Sequence, residues 1–241
     1  MPRKTVELYD LGQAAYQPIW DLQHAIQKRI IGEKRTEQAN EFDGVRMNDV
    51  LLFVEHPHVY TLGKSGKEEH LLRSIMELQE LDAEFVKSDR GGDITYHGPG
   101  QIVGYPILDL HRYFTDVHRY LRCLEEIMIL VCADFGFKAS RVDGMTGVWI
   151  RQEKICAMGI RCSRWVTMHG FALNVNTDLR YFNNIVPCGI DNKNVTSLQK
   201  LSGREIDMGE VKERITFHFQ NVFDVKISGM GRMRELEYNI L

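Results

Sequence analysis

Apolar residues recur along the chain with two periods, and together they predict alternating strands and helices. Thr5 to Leu11 alternate as a strand does, and Ile19, Leu22, Ile26 and Ile30 stand at the spacing of one amphipathic helix over Ala14 to Ile31. The polar stretch Gly32 to Asn48, mixed in charge, reads as an exposed loop, and the apolar run Val50 to Val54 as a second strand. After a short helical segment near Leu71 to Leu81, strand-type runs at Glu84 to Lys87 and Ile102 to Leu108 enclose a glycine-rich centre. Val117, Leu121, Leu124, Met128 and Val131 mark one face of a long helix from Val117 to Phe135, which Gly136 is positioned to end. Three β-type runs follow closely: Gly147 to Arg151, Lys154 to Cys162 and Trp165 to Asn174. A helix over Met208 to Phe223 and a strand over Asp224 to Ser228 complete the pattern. Adjacent strands joined by short turns predict antiparallel pairing, with the interspersed helices layered on one face of the sheet. No internal repeat and no Pro/Gly/Ser linker divides the chain, so residues 1–241 read as a single α+β domain.

Composition narrows the picture. With 44% hydrophobic and 26% charged residues, the 241-residue chain carries enough apolar material for a substantial core, which excludes a disordered or collagen-like protein. A net charge of -3 offers no electrostatic case for nucleic acid. No window approaches the roughly 18 consecutive apolar residues of a membrane span, and the start MPRKTVELYDLG lacks an apolar secretory run, so the expectation is a cytoplasmic protein that does not enter a membrane. The five cysteines, Cys123, Cys132, Cys156, Cys162 and Cys188, show no C-x-x-C spacing, so free thiols and no metal centre are expected.

Two stretches have the composition of a site. Arg90 to Gln101, RGGDITYHGPGQ, packs four glycines, a proline and a Tyr-His pair into twelve residues, so the main chain can approach a ligand where a Cβ would collide. A glycine-rich hairpin whose Tyr96 and His97 simply pack is the plain alternative. The run matches neither G-x-x-x-x-G-K-[ST] nor a helix-opening G-x-G-x-x-G, which disfavours a nucleotide loop. Pro187-Cys188-Gly189 places a thiol in a stiff turn, where it suits a nucleophile and where the Gly189 N–H could face an oxyanion, although a lone cysteine is more often a small buried hydrophobe. A thiol nucleophile needs a neighbouring base or cation, and His97, His169 and Lys154 are the candidates. Burial at the edge of the run Ile155 to Ile160 would favour the neutral amine of Lys154, whereas a lysine snorkelling from a strand end is the alternative. Gly159 and Gly170 could together form a wall of a narrow apolar slot, with Met145, Met158 and Met168 either lining it or filling the core. Cys156, two residues from Lys154, would point the same way on a regular strand and so is a rival thiol.

With these motifs assembled, the sequence resembles the lipoyl(octanoyl) transferase family. The resemblance rests on EHPHVYTLG (Glu55 to Gly63), RGGDITYHGPGQ (Arg90 to Gln101), GVWI followed by KICAMGIR (Gly147 to Arg161), HGFALNVNTDL (His169 to Leu179), PCGI (Pro187 to Ile190) and VTSL (Val195 to Leu198), in the family's order from about residue 50 to 200. His58 stands where the family usually has proline, and the stretch Gly32 to Asn48 looks longer than usual.

The resemblance implies an acyltransferase that takes octanoyl from the phosphopantetheine of acyl carrier protein and places it on a lysine of lipoyl domains. The acceptors would be subunits of 2-oxoacid dehydrogenases and the glycine cleavage H protein. It implies Cys188 as the acyl-thioester site, Lys154 as the group that lowers that thiol's pKa, and no ATP or metal. Substrate-binding segments map onto Arg90, Gly91, Gly92, Asp93, Ile94, Thr95, Tyr96 and His97; onto Ala157, Met158 and Gly159; and onto Gly170, Phe171 and Ala172, with His169 and Gly189 in supporting roles. The implied fold is that of biotin and lipoate protein ligases, a mixed and mainly antiparallel sheet flanked by helices. An ATP-dependent ligase of that fold and a catalytically silent lipoyl-domain binder are the rival readings.

Overall fold

A strand whose successive positions are all apolar must be covered on both faces, and β2 (Asp49–Glu55) carries five in a row, Val50 to Val54. Its Leu51 and Phe53 enter one apolar cluster, and its Val50, Leu52 and Val54 enter another. The computed structural model of the protein describes residues 3–38, 47–186 and 194–231. In chain order the other elements are β1 (Lys4–Gln13), α1 (Tyr16–Gln38), β3 (Val59–Leu62), α2 (Ile75–Glu80), β4 (Glu84–Lys87), β5 (Ile94–His97), β6 (Gln101–Ile107) and α3 (Val117–Asp134). There follow β7 (Ser140–Val142), β8 (Met145–Ile150), β9 (Glu153–Ser163), β10 (Val166–Asn174), α4 (Leu198–Ser202), α5 (Met208–Phe223) and β11 (Val225–Gly231).

Eight strands form one sheet in the order β11-β1-β2-β6-β10-β9-β8-β7, and β4-β3-β5 form a small second sheet. In the large sheet β1 pairs in parallel with β11 and β2, and the remaining neighbours are antiparallel, so the expected mixed, mainly antiparallel α+β architecture is present. The helices do not share one face. Helix α1 sends Ile19, Leu22, Ile26 and Ile30 onto one side of the sheet, and α3 and α5 pack Leu124, Met128, Val131, Ile215 and Phe219 onto the other. The expectation of one-sided layering therefore fails, because the central strands are apolar in both directions and need two covers.

Helix ends follow local chemistry. Asp116 caps α3 by accepting the Arg119 N–H, and Gly136, at φ +83°, ends that helix while the Phe137 N–H reaches back 2.9 Å to the Cys132 carbonyl. The stretch read as a loop from Gly32 is helix as far as Gln38. There Lys34 is buried, its Nζ 2.6 Å from Asp109 Oδ1 and 2.9 Å from the Arg164 carbonyl, so polar residues serve as an anchor rather than as a solvated face. The rest of that reading, residues 39–46, lies outside the described residues. The hydrophobic pattern also passes over β3 and β7, strands of four and three residues, which are too short to show a period.

Candidate active site

Small residues open a groove in the large sheet. On β9 and β10, Gly159 faces Gly170 and Ala157 faces Ala172 across the antiparallel ladder, and Ala172 in turn opposes Val103 of β6. The loop carrying Arg90 to Asp93 lies over this surface, tied down by the Gly91 N–H to the Ile160 carbonyl at 2.9 Å. A Cβ on Gly159 would stand 2.7 Å from the Gly91 carbonyl oxygen, so the loop can seat itself this low only on glycine. Between loop and sheet is a cavity of about 510 Å³. Its lining includes residues 90–95 and 97, residues 157–160, residues 169–172 and Lys154, which brings most of the residues singled out from sequence to one place.

Tyr96 is the exception. It is fully buried beneath the loop, its hydroxyl lies 2.7 Å from His58 Nδ1, and its ring stacks 5.0 Å from Tyr181. The alternation of β5 turns Tyr96 away from the face that presents Thr95 and His97. Its role is to fasten the small sheet to the segment around residues 179–184. His58, which stands in place of the family's usual proline, stacks on Tyr181 at 4.0 Å and so belongs to the same clasp.

The polar side of the cavity is satisfied. Arg90 is 7% exposed, with its guanidinium held by the Thr61 carbonyl and hydroxyl and by the Gly91 carbonyl. His97 Nδ1 is 2.8 Å from Gln101 Oε1, and the Gln101 amide nitrogen donates to Asn174 Oδ1 at 2.9 Å. Burial lowers His97 to about 3 and His56, behind it, to about 4, so both rings are neutral near pH 7. His169 adopts φ +59°, an unusual backbone for a residue inside a strand. Its N–H turns to Gln23 Oε1 of α1, and its ring places Nε2 2.7 Å from Asp89 Oδ1. Burial opposes ionisation of Asp89, but the His169 hydrogen bond and the neighbouring charges, Arg161 among them, outweigh it and hold the carboxyl at about 2. His169 thus stands six residues along the β9 register from Lys154, about 20 Å by strand rise, and the two do not converge.

Lys154 occupies the other end. Its Nζ lies 4.7 Å from the centre of the Trp149 ring, a cation–π distance. Its N–H donates to the Asn194 carbonyl and its carbonyl accepts the Thr196 N–H, both at 3.0 Å. Cys188 and Gly189 lie outside the described residues, and so does the loop geometry expected of them. The described residues flanking them are Val186, whose N–H donates 2.8 Å to the His70 carbonyl, and Asn194, which is bound to Lys154. The rival thiol, Cys156, lies in the core and not among the cavity-lining residues. The β8–β9 register shifts between Val148 and Trp149, and Cys156 is fully buried against α3 in the core, where burial pushes its thiol well above the ordinary range. Cys132 is likewise pushed up by burial, to about 12.

Residues that motif reading missed complete the walls. Tyr16 comes from α1, where nothing in a helical pattern distinguishes a cavity-facing ring from a core one. Gln101, Trp149 and Val195 were inside quoted motifs but had been given no role, and Val103 and Tyr105 looked like ordinary strand residues. Of the three methionines, Met145 and Met158 line the cavity, whereas Met168 is fully buried.

Known proteins share this sequence pattern and this fold. The family profile described as the lipoyl protein ligase A/B catalytic domain matches residues 15–220. The octanoyltransferase of Flavobacterium johnsoniae is 53% identical over 230 residues, covering 93% of this chain and 99% of its own. That of Christiangramia forsetii is 54% identical over 230 residues, covering 93% and 98%. Among solved structures, a bipartite lipoate protein ligase from Thermoplasma acidophilum superposes with a TM-score of 0.71 at 14% identity over 99% of this chain and 91% of that one. The biotin protein ligase of Aquifex aeolicus, in complex with biotin and ATP, gives 0.53 at 12% identity over 90% and 70%, a likeness of fold alone. On its sequence, its fold and the cavity its motifs enclose, the chain belongs to the lipoyl protein ligase A/B catalytic-domain family, among the octanoyltransferases.

Proposed function

We propose that this acyltransferase draws octanoyl from the phosphopantetheine thioester of acyl carrier protein onto Cys188 and passes it to the ε-amine of a lysine on lipoyl domains. Acceptors would include 2-oxoacid dehydrogenase subunits and the glycine cleavage H protein. The observation that carries this reading is a narrow cavity over the glycine and alanine floor of β9 and β10, with an amine at one end. Seven carbons beyond a carbonyl, at about 0.8 kcal/mol per buried CH₂, would contribute roughly 5 kcal/mol of binding in such a slot.

Lys154 accepts the Cys188 proton, and the thiolate attacks the carrier's thioester carbonyl. The C–S bond to pantetheine breaks, and the departing sulfur takes the proton back from the Lys154 ammonium. The acceptor amine then attacks the Cys188 thioester, a C–N bond replaces the C–S bond, and the amine's proton returns through Lys154 to the thiol. The Gly189 N–H is the proposed oxyanion donor. Thioester exchange is near balance and amide formation is downhill, so the sequence of steps calls on neither ATP nor a metal. Among the described residues no helix is long and apolar enough to cross a membrane, which fits the proposed cytoplasmic setting.

The test is intact-mass measurement after mixing the protein with octanoyl-carrier protein, followed by peptide mapping. The adduct should appear on Cys188, vanish in Cys188→Ser and persist in Cys156→Ser, and Lys154→Ala should slow its formation at least a hundredfold. Incorporation of free octanoate that depends on ATP, with no adduct, would instead identify an adenylate-forming ligase. Binding to a lipoyl domain with no gain in mass would identify a silent binder.

A further inference from the structure

A carboxylate with no part in the acyl chemistry is buried behind the lysine. Glu125 of α3 is 0% exposed. Its Oε2 meets Arg122 at 2.8 Å and Arg141 at 3.0 Å, and Arg141 is itself fixed by Glu126 and by the Arg122 carbonyl. Its Oε1 does something different: it accepts the backbone N–H of Gly147 at 3.0 Å. Gly147 lies on β8 at φ +120°, just before the register shift that separates Val148 from Trp149. The shift leaves Ile155 of β9 without a ladder partner, and at this irregular point a hydrogen bond from a neighbouring helix ties β8 down at Gly147.

That height bears on Lys154. A Cβ on Gly147 would stand 2.6 Å from the Cys156 carbonyl oxygen and 3.5 Å from Lys154 Cε, so the β8 backbone runs directly along the lysine stem. Two residues on, Trp149 is the ladder partner of Lys154 and holds its ring 4.7 Å from Nζ. Gly147 and Trp149 together form a channel for that side chain. Burying an ionised carboxylate is costly unless every oxygen is used, and here one of its oxygens is spent on the wall of that channel.

We propose that Glu125 is a positioning residue for Lys154, holding β8 at the height at which Gly147 and Trp149 confine the lysine stem and fix its amine at the cavity end. The proposal rests on the reading in which Lys154 serves the transfer reaction. Two substitutions separate reach from charge. Glu125→Asp keeps the charge for both arginines and shortens the reach to Gly147. Glu125→Gln keeps the reach and loses the charge. Octanoyl transfer should be measured per active site by burst titration, alongside the melting temperature and the pH-dependent rate of amine labelling at Lys154 read by mass spectrometry. Glu125→Asp should lower kcat about tenfold with KM for both protein substrates unchanged, and should alter Lys154 labelling. Glu125→Gln should melt at lower temperature yet keep kcat within about threefold and label like the parent. Activity that falls in both variants in step with melting temperature, with Lys154 labelling unmoved, would overturn the proposal and leave Glu125 a purely structural ion pair. The underlying reading fails separately, if Lys154→Ala itself transfers octanoyl at the parent rate.

Discussion

Ala157 offers the sharpest perturbation of the acyl slot. It lies on the same face of β9 as Gly159 and itself lines the cavity, so a longer side chain at 157 grows into that space. Ala157→Leu adds three carbons to that space. If they displace the last three methylenes of an octanoyl chain, the loss is about 2.4 kcal/mol at about 0.8 kcal/mol per CH₂, or roughly fiftyfold in kcat/KM for octanoyl relative to a short donor. A butanoyl or pentanoyl donor, ending short of the new side chain, should react at near the parent rate. The assay is a series of acyl-carrier thioesters from four to ten carbons, scored by mass on a lipoyl domain, with folding checked by circular dichroism. If Ala157→Leu is folded and active and the ratio of octanoyl to butanoyl transfer is unchanged, the chain does not run over the Ala157–Ala172 floor, and the slot has been misplaced.

Other outcomes follow from the same contacts. Gly170→Ala should destabilise by about 1–3 kcal/mol, because its Cβ would meet the Gly104 carbonyl oxygen at 2.2 Å and backbone cannot yield as a side chain end can; urea unfolding measures it, and an unchanged midpoint would refute the close approach. Lys34→Met should cost about 3–5 kcal/mol by leaving Asp109 charged and buried beyond the expected end of α1, again read by urea midpoint. Acid should weaken the fold through its buried imidazoles. His56 and His97, lowered by burial to about 4 and about 3, bind a proton in the unfolded chain near pH 6.5 but refuse it when folded. Their contribution is therefore full above pH 6.5 and is lost as pH falls toward 4, at up to about 1.4 kcal/mol per pH unit for each ring. Unfolding free energy that stays flat between pH 6.5 and 5 would contradict neutral buried imidazoles.

Much of the site was legible because its motifs are constrained locally. RGGD, with Gly91 hydrogen-bonded to β9, and the paired Gly159 and Gly170 are glycines that a neighbouring backbone requires, and such positions stand out in a sequence. The place of Tyr96 in the core is not legible, because a strand of four residues, β5, sends alternate side chains to a cavity and to a core, and adjacent letters look equally polar. A regular strand would point Cys156 the way Lys154 does, and the register shift at Val148 cannot be seen in composition.

Period, turn chemistry and motif order are properties of the chain itself, and they were enough to set its class, most of its strands and helices, its family and the loop that roofs the cavity. Convergence is not such a property. That α1 supplies Tyr16 to one wall, that α3 supplies Glu125 to the back of Lys154, and that His169 and Lys154, both candidate partners for the thiol, stand about 20 Å apart are decided only when distant segments pack. The physical reason is that local pattern is read from neighbours in sequence, whereas burial and charge pairing are set by neighbours in space.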